Sequence, residues 1–302
     1  MWVERRWKLS LAFLRTPHTL RLRHRKLLIH FCACHPPPKK HTFITVIHNH
    51  ATMESYPPAR FTLLKRRPDL TRDQFNTHWH GVHGTLLPSL PDFRRCHHRY
   101  IQNHILPIPA SLEQKLTQDP RWDGIAQTFQ NVYETGIIDF FDQPDFPNFV
   151  LPDEAKFLDS PASTTTYTRQ RVIKDGPVRG VKYLAFLRSA DGLDQDAFSD
   201  YWLNKHAALI KGIKPFWSRV TRYCQYHARP ELFRGSSEMN QSEAFAGVAE
   251  IYFDSIEDLE AALNDPEYVS VAHPDAKNFL KGPSLHFIIE DYPMLDSEAV
   301  SS

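Results

Sequence analysis

Cysteine is too scarce and too scattered here to build a disulfide framework: four residues in 302, at Cys32, Cys34, Cys96 and Cys224. None forms a zinc-type pair, so a reducing compartment, the cytoplasm, is expected. Long apolar runs are missing too. No stretch approaches the roughly 18–20 residues needed to cross a bilayer, and no membrane partner is expected. The chain lacks a glycine-rich phosphate loop, a dinucleotide fingerprint and a Gly-x-Ser-x-Gly elbow, which sets nucleotide-dependent and serine-hydrolase chemistry aside. Acid is almost absent from residues 1–52, which carry ten Lys or Arg, seven of the 17 histidines and only Glu4. The rest holds 26 basic and 34 acidic side chains, a balance that argues against nucleic acid as partner.

Residues 1–52 therefore read as a basic, disordered extension, either a translated upstream segment with the start at Met53 or a mitochondrial targeting peptide. Its Cys32-Ala-Cys34-His35 cluster fits no closed tetrahedral site, and no metal is expected there.

What is present in quantity is internal repetition. Residues 61–104 lie without a gap on 184–227, at an offset of 123, with twelve identities. These include Phe75, Trp79, His83 and Leu86 against Phe198, Trp202, His206 and Leu209, whose spacing places four side chains on one helix stripe. Farther on, Pro152, Asp153, Phe157 and Leu158 match Pro274, Asp275, Phe279 and Leu280 at an offset of 122. Each copy opens with a short apolar strand, 61–66 or 182–188. A helix follows, capped by Thr71 with Gln74 or by Asp194. Strands are expected at 97–104 and 220–227, and again from Gly124 and Gly247. A second helix is expected after Asn131 with Glu134, or Asp254 with Glu257, and last strands near 165–173 and 285–290.

That order predicts an α+β protein made of two tandem ferredoxin-like (βαββαβ) units, 53–175 and 176–302, joined by a turn-rich linker at 174–180. Each sheet bears helices on one face only, so the two bare faces are expected to pack together. The result would be an intramolecular dimeric α+β barrel, a pseudo-dimer that can exist as a monomer.

The Phe-x-x-(Tyr/His)-Trp-x-x-x-His helix, the Arg-Tyr-x-Gln-x-His strand, the Gly-x-Ala-(Glu/Gln) strand and the Pro-Asp before Phe-Leu together resemble the EthD domain. The resemblance implies membership of the dimeric α+β barrel superfamily, with a ligand between helices and sheet. It also implies a choice of activities: cofactor-independent oxidoreductase of monooxygenase type on an aromatic or polyketide-like molecule, polyketide decarboxylase or dehydratase, or a non-catalytic binding accessory.

Within the repeats, His206 is the expected general base, with His83 its counterpart, because imidazole titrates near neutrality. Strand alternation puts Tyr100, Gln102 and His104 on one face, and Tyr223, Gln225 and His227 on the matching face. Trp79 and Trp202 are expected as pocket walls. Glu250 and Tyr268 are replaced in copy one by Gln127 and Phe146, so copy two is expected to be the active copy. There His227, Tyr223 and Tyr268 would hold substrate oxygens, and Glu250 would orient an imidazole. No cofactor is expected.

Overall fold

The computed structural model describes residues 57–133, 135–229, 231 and 245–297. The basic segment 1–52 and its cysteine cluster lie outside the described residues.

Eight antiparallel strands close into a barrel, four from each half. Half one contributes β1 (Pro58–Leu64), β2 (His97–Leu106) and β3 (Gly124–Gln130). A two-stranded hairpin of β4 (Val132–Tyr133) and β5 (Gly136–Ile137) follows, then the barrel strand β6 (Thr164–Lys174). Half two contributes β7 (Val181–Leu187), β8 (Val220–Ala228), β9 (Gly247–Phe253) and β10 (Leu285–Asp296). The order around the barrel is β1-β3-β2-β10-β7-β9-β8-β6. The halves join edge to edge, β2 with β10 and β6 with β8, so every barrel strand has two neighbours and no edge is left open.

Closure buries both faces of these strands, polar positions such as Arg60, Thr62 and Glu250 included. All seven residues of β1 and of β9 are buried, since one face meets the barrel interior and the other the helix layer. Phe61, Phe186, Val248 and Phe287 fill the interior. Among them sits a polar knot: Lys182 Nζ lies 3.0 Å from Glu250 Oε2 and donates to Gln127 Oε1 at 2.8 Å. Gln127 Nε2 also donates to Glu250 at 3.0 Å. Residues 127 and 250 are counterparts in the repeat, so their contact marks the approximate two-fold axis of the barrel.

In half one, α1 (Arg72–His78) runs through a π-helical turn, Trp79–His83, into α2 (Gly84–Ser89) and α3 (Pro91–Cys96). The expected capping box is present, with Thr71 accepting from Gln74 N and Gln74 returning a bond to Thr71 N. The second helix expected here does not form. After Asn131 the chain makes the β4–β5 hairpin, turned at Gly136 with φ of 101°, a conformation a helix cannot hold. Glu134, the expected capping partner, lies outside the described residues. A short 3₁₀ turn at Phe140–Asp142 follows, then the π turn Phe146–Val150 and α4 (Leu151–Glu154).

In half two, Asp194 caps α5 (Gln195–Asp200), followed by a π turn at Tyr201–His206, α6 (Ala207–Gly212) and α7 (Lys214–Arg219). Here the second helix does form, as α8 (Ile256–Asn264). Its cap is Ser255, bonding Asp258 N, one residue after the expected Asp254. A further π turn, Tyr268–Ala272, leads into α9 (His273–Ala276).

Candidate active site

The π turn recurs at the same repeat position in both halves and sets the orientation of the Trp-x-x-x-His pair. It adds a residue to one helical turn, so the carbonyls of Trp79 and Trp202 bond the N–H of Gly84 and Ala207, five residues on. A glutamine on the facing strand reinforces each carbonyl: Gln102 Nε2 donates to Trp79 O at 2.7 Å, and Gln225 Nε2 to Trp202 O at 3.2 Å. The indoles then pack against β3 and β9 at Gly124 and Gly247. A Cβ at either glycine would stand 2.5 or 2.6 Å from the ring, so only glycine admits the tryptophan.

One turn later the histidines meet the Asp of the Pro-Asp motif. His206 Nδ1 donates to Asp275 Oδ2 at 2.6 Å, and His83 Nδ1 to Asp153 Oδ2 at 3.0 Å. Asp275 also accepts from Tyr201 Oη at 2.8 Å. Asp153 instead takes a second imidazole, His78 Nε2, at 3.0 Å. Burial lowers the pKa of both His206 and His83, and the aspartate opposes that shift without cancelling it. Each ring is therefore neutral at pH 7. The bond at Nδ1 fixes the proton there and leaves Nε2 of His206 as the basic nitrogen.

Around these two pairs the halves differ sharply. Half two encloses a cavity of about 520 Å³ between helices and sheet, whereas the corresponding space in half one is about 60 Å³. The large cavity is floored by Tyr183, Ala185, Ala249 and Ile251 and walled by Trp202, Phe216, Tyr223, Tyr268 and Phe279, with His206 on its surface. Tyr268 stacks on Phe216 at 4.4 Å, nearly parallel, and its hydroxyl is pushed up to about 12 by burial. In half one the counterparts of Ala272, Ala276 and Ala185 are Val150, Glu154 and Thr62, all lining the small space, and Phe140 and Phe141 add bulk from the segment that replaces the second helix. Arg60, the counterpart of Tyr183, lies over the Phe141 ring at 4.2 Å.

Part of the large cavity comes from the other half. Leu112 and Leu116, from the strap between β2 and β3, join the apolar cluster of half two. Ser111 bonds Glu260, Lys115 bonds Asn264, and Thr117 O accepts from His286 N at 2.8 Å. The exposed side chains of Lys115, His273 and Lys277 mark the rim.

Of the residues expected from sequence, His206, Trp202, Tyr223 and Tyr268 converge on this cavity, and His83, Trp79 and Tyr100 on the small one. Gln225 and His227 share the Tyr223 face but do not line the cavity. The His227 ring lies behind Trp202 at 4.7 Å, with Nε2 3.1 Å from Gln225 Oε1. His104 lies on Trp79 at the same 4.7 Å, closer to parallel. Burial pulls His227 down to about 3 and His104 to about 4.

Glu250 corrects an expectation. It orients no imidazole, because Ala249 and Ile251 face the cavity and the residue between them must face the barrel interior, where Lys182 and Tyr226 bind it. Burial would raise its carboxyl, but the Lys182 charge and hydrogen bonds hold it below the usual value.

Sequence did not point to Tyr183, His286 or His273, and it marked Asp275 only as part of a repeated motif. Asp275 could have been paired with His206 from the parallel recurrence of His and Pro-Asp. Tyr183 and His286 leave no trace in the repeat, since half one has Arg60 and Thr164 there. Among the described residues, no group of three or more His, Cys, Asp or Glu is placed to hold a metal ion. No helix among them is long and apolar enough to cross a membrane.

A closed antiparallel barrel with outer helices, carrying a part-buried His–Asp pair beside an aromatic cavity, defines an α+β barrel protein. The EthD domain model matches residues 67–161 and 190–283, more than half of the chain, and the protein belongs to this family. A comparison with curated proteins finds no match. Among solved structures, an anthrone oxidase-like protein is 10% identical, covering 82% of this chain and 97% of that one at a TM-score of 0.49. A candidate monooxygenase from Lactobacillus acidophilus NCFM is 9% identical, covering 80% and 97% at 0.43. A chlorite dismutase variant from Candidatus Nitrospira defluvii is 11% identical, covering 78% and 91% at 0.42.

Proposed function

We propose that half two is a cofactor-independent oxidoreductase of monooxygenase type, acting on an aromatic or polyketide-like molecule, and that half one is its structural partner. The observation that carries this reading is the His206–Asp275 pair on the wall of a cavity of about 520 Å³ whose other walls are aromatic. Such a volume suits a ligand of a few fused rings. His206 Nε2 removes a proton from an activated carbon, and Asp275 stabilises the imidazolium that forms. The resulting carbanion is electron-rich enough to reduce dioxygen. For a doubly benzylic ring methylene conjugated through the aromatic rings to a carbonyl, as in an anthrone, one oxygen atom stays on the carbon as a new carbonyl and the other leaves as water.

Oxygen uptake with an anthrone as substrate tests the proposal. His206→Ala is expected to lower turnover by about 10²–10⁴-fold, the usual share of a general base. The oxygenase reading fails if the anthrone is consumed at the same rate without oxygen. Carbon dioxide release from a carboxylated substrate without oxygen uptake would assign the same base to decarboxylation instead.

A further inference from the structure

The cavity floor carries a second polar pair that the base chemistry does not use. Tyr183 on β7 and His286 on β10 stand on neighbouring strands, with Tyr183 Oη 2.5 Å from His286 Nδ1 and the rings nearly parallel. Both line the cavity that His206 lines. Tyr183 is buried, and the His286 backbone is pinned by the strap through Thr117. Half one, whose cavity is nearly filled, has neither residue.

The chemistry of the pair is constrained. Burial, with the nearby His273 adding to it, pulls His286 down to about 4, so its ring is neutral at pH 7. Burial raises the Tyr183 hydroxyl well above its ordinary range, so it keeps its proton. A phenol is a stronger hydrogen-bond donor than an imidazole N–H, and an imidazole nitrogen a stronger acceptor than a phenol oxygen, so the tautomer in which Tyr183 donates is the favoured one. Tyr183 therefore donates to Nδ1, and the ring proton of His286 resides on Nε2. A neutral imidazole held in one tautomer is an electrophile: it donates a hydrogen bond to an oxygen that gains negative charge, and it needs no proton of its own to leave.

We propose that Tyr183 and His286 form the oxyanion-stabilising arm of the cavity, His286 Nε2–H donating to the carbonyl or phenol oxygen of a bound aromatic ligand. This inference rests on the proposed use of the half-two cavity and adds a role separate from that of His206. In the reaction, the proton from carbon goes to His206 Nε2, and the charge that delocalises onto the ligand oxygen meets His286. Tyr183 acts through His286 as a positioning residue.

The test needs no turnover, so it stands apart from the base chemistry. Para-nitrophenol, whose phenolate is coloured, is titrated with the full chain across the pH range of its ionisation. The wild-type chain is expected to bind the phenolate in preference to the phenol, so the bound dye ionises at lower pH than the free dye. His286→Phe is expected to abolish that shift and weaken phenolate binding by about tenfold, the worth of one hydrogen bond to a charged oxygen. His286→Gln keeps an N–H and should recover part of it. Tyr183→Phe frees the tautomer and should give a partial loss, with binding of neutral naphthalene unchanged as a control for an intact cavity. His206→Ala should leave the dye shift in place. The proposal is overturned if the wild-type chain does not favour the phenolate, or if His286→Phe and wild type shift the dye equally. Loss of the shift in His206→Ala alone would assign the oxyanion contact to His206.

Discussion

Replacing Asp275 by Asn leaves the shape of the His206 contact nearly unchanged and removes its charge, so it isolates what the carboxylate does for the ring. At about 4 Å between charge centres and an effective dielectric constant of about 20, a carboxylate stabilises an imidazolium by about 4 kcal/mol. The pair is partly exposed, with 14% of each side chain accessible, so solvent and salt reduce that figure to about 1.5–3 kcal/mol. The neutral ring gains little from the carboxylate, so nearly all of this is lost from the protonated form. The pKa of His206, already lowered by burial, should fall by a further one to two units, roughly. A base of lower pKa is active at lower pH, so the acidic limb of the kcat/KM profile should move down. The plateau should fall by about 10²-fold, because the imidazolium formed in the transition state has lost its partner and the tautomer is no longer held. The ring shift can be read without substrate from the His206 Cε1–H resonance as a function of pH, and the plateau from initial rates with an anthrone. Tyr201→Phe serves as control, since it removes the other bond to Asp275 and keeps the charge. A His206 titration that stays put or moves up in Asp275→Asn, or a plateau within about twofold of wild type, would refute the reasoning.

Three other outcomes follow from the same structure. Introducing the half-one side chains into half two, as Ala272→Val with Ala276→Glu, should fill the cavity and weaken binding of a tricyclic ligand by more than about tenfold in calorimetry, while the circular dichroism stays native; unchanged affinity would place the ligand elsewhere. In the barrel interior, Lys182→Met leaves Glu250 without its cation and should cost about 3–5 kcal/mol in urea unfolding, whereas Lys182→Met with Glu250→Gln should recover much of it. His104, His227 and His286 all have pKa values held at about 3 to 4, below the ordinary 6.5. The unfolded chain therefore takes up protons first as pH falls. Their contribution is complete above the unfolded pKa and is lost on the way down to the folded values. By about pH 5 this amounts to about 1–2 kcal/mol each, and a melting temperature constant from neutrality to about pH 5 would contradict it.

The repeat makes a barrel with outer helices legible in the sequence. Two copies of a strand and helix pattern point to it, and the caps at Thr71 and Asp194 lie where the sequence places them. The full βαββαβ order fails in half one, which lacks the second helix. Trp202, His206, Tyr223 and Tyr268 reach the cavity because helix and strand periodicity fix their direction. Glu250 was misdirected although the same parity was available: with Ala249 and Ile251 facing one way, Glu250 had to face the other. The second helix of half one was overestimated because a matching Asn131 outweighed Gly136 and the weak helix formers after it. Tyr183 and His286 were invisible for a different reason. They belong to one half only, and their contact spans 103 positions that carry no periodic signal.

The fusion of the two halves alters what a mutation can do. In a barrel assembled from two identical chains, a substitution that fills one cavity fills the other as well, and a function that needs an open cavity is lost at once. In this chain position 154 holds Glu and position 276 Ala, independently of each other. Half one can therefore close its own cavity with Val150, Glu154 and Phe140, gain the packing, and still lend Leu112 and Leu116 to the cavity next door. Cutting the chain at the linker would separate His206 from the residues that roof its cavity, so the unit on which selection acts is the pair of halves together.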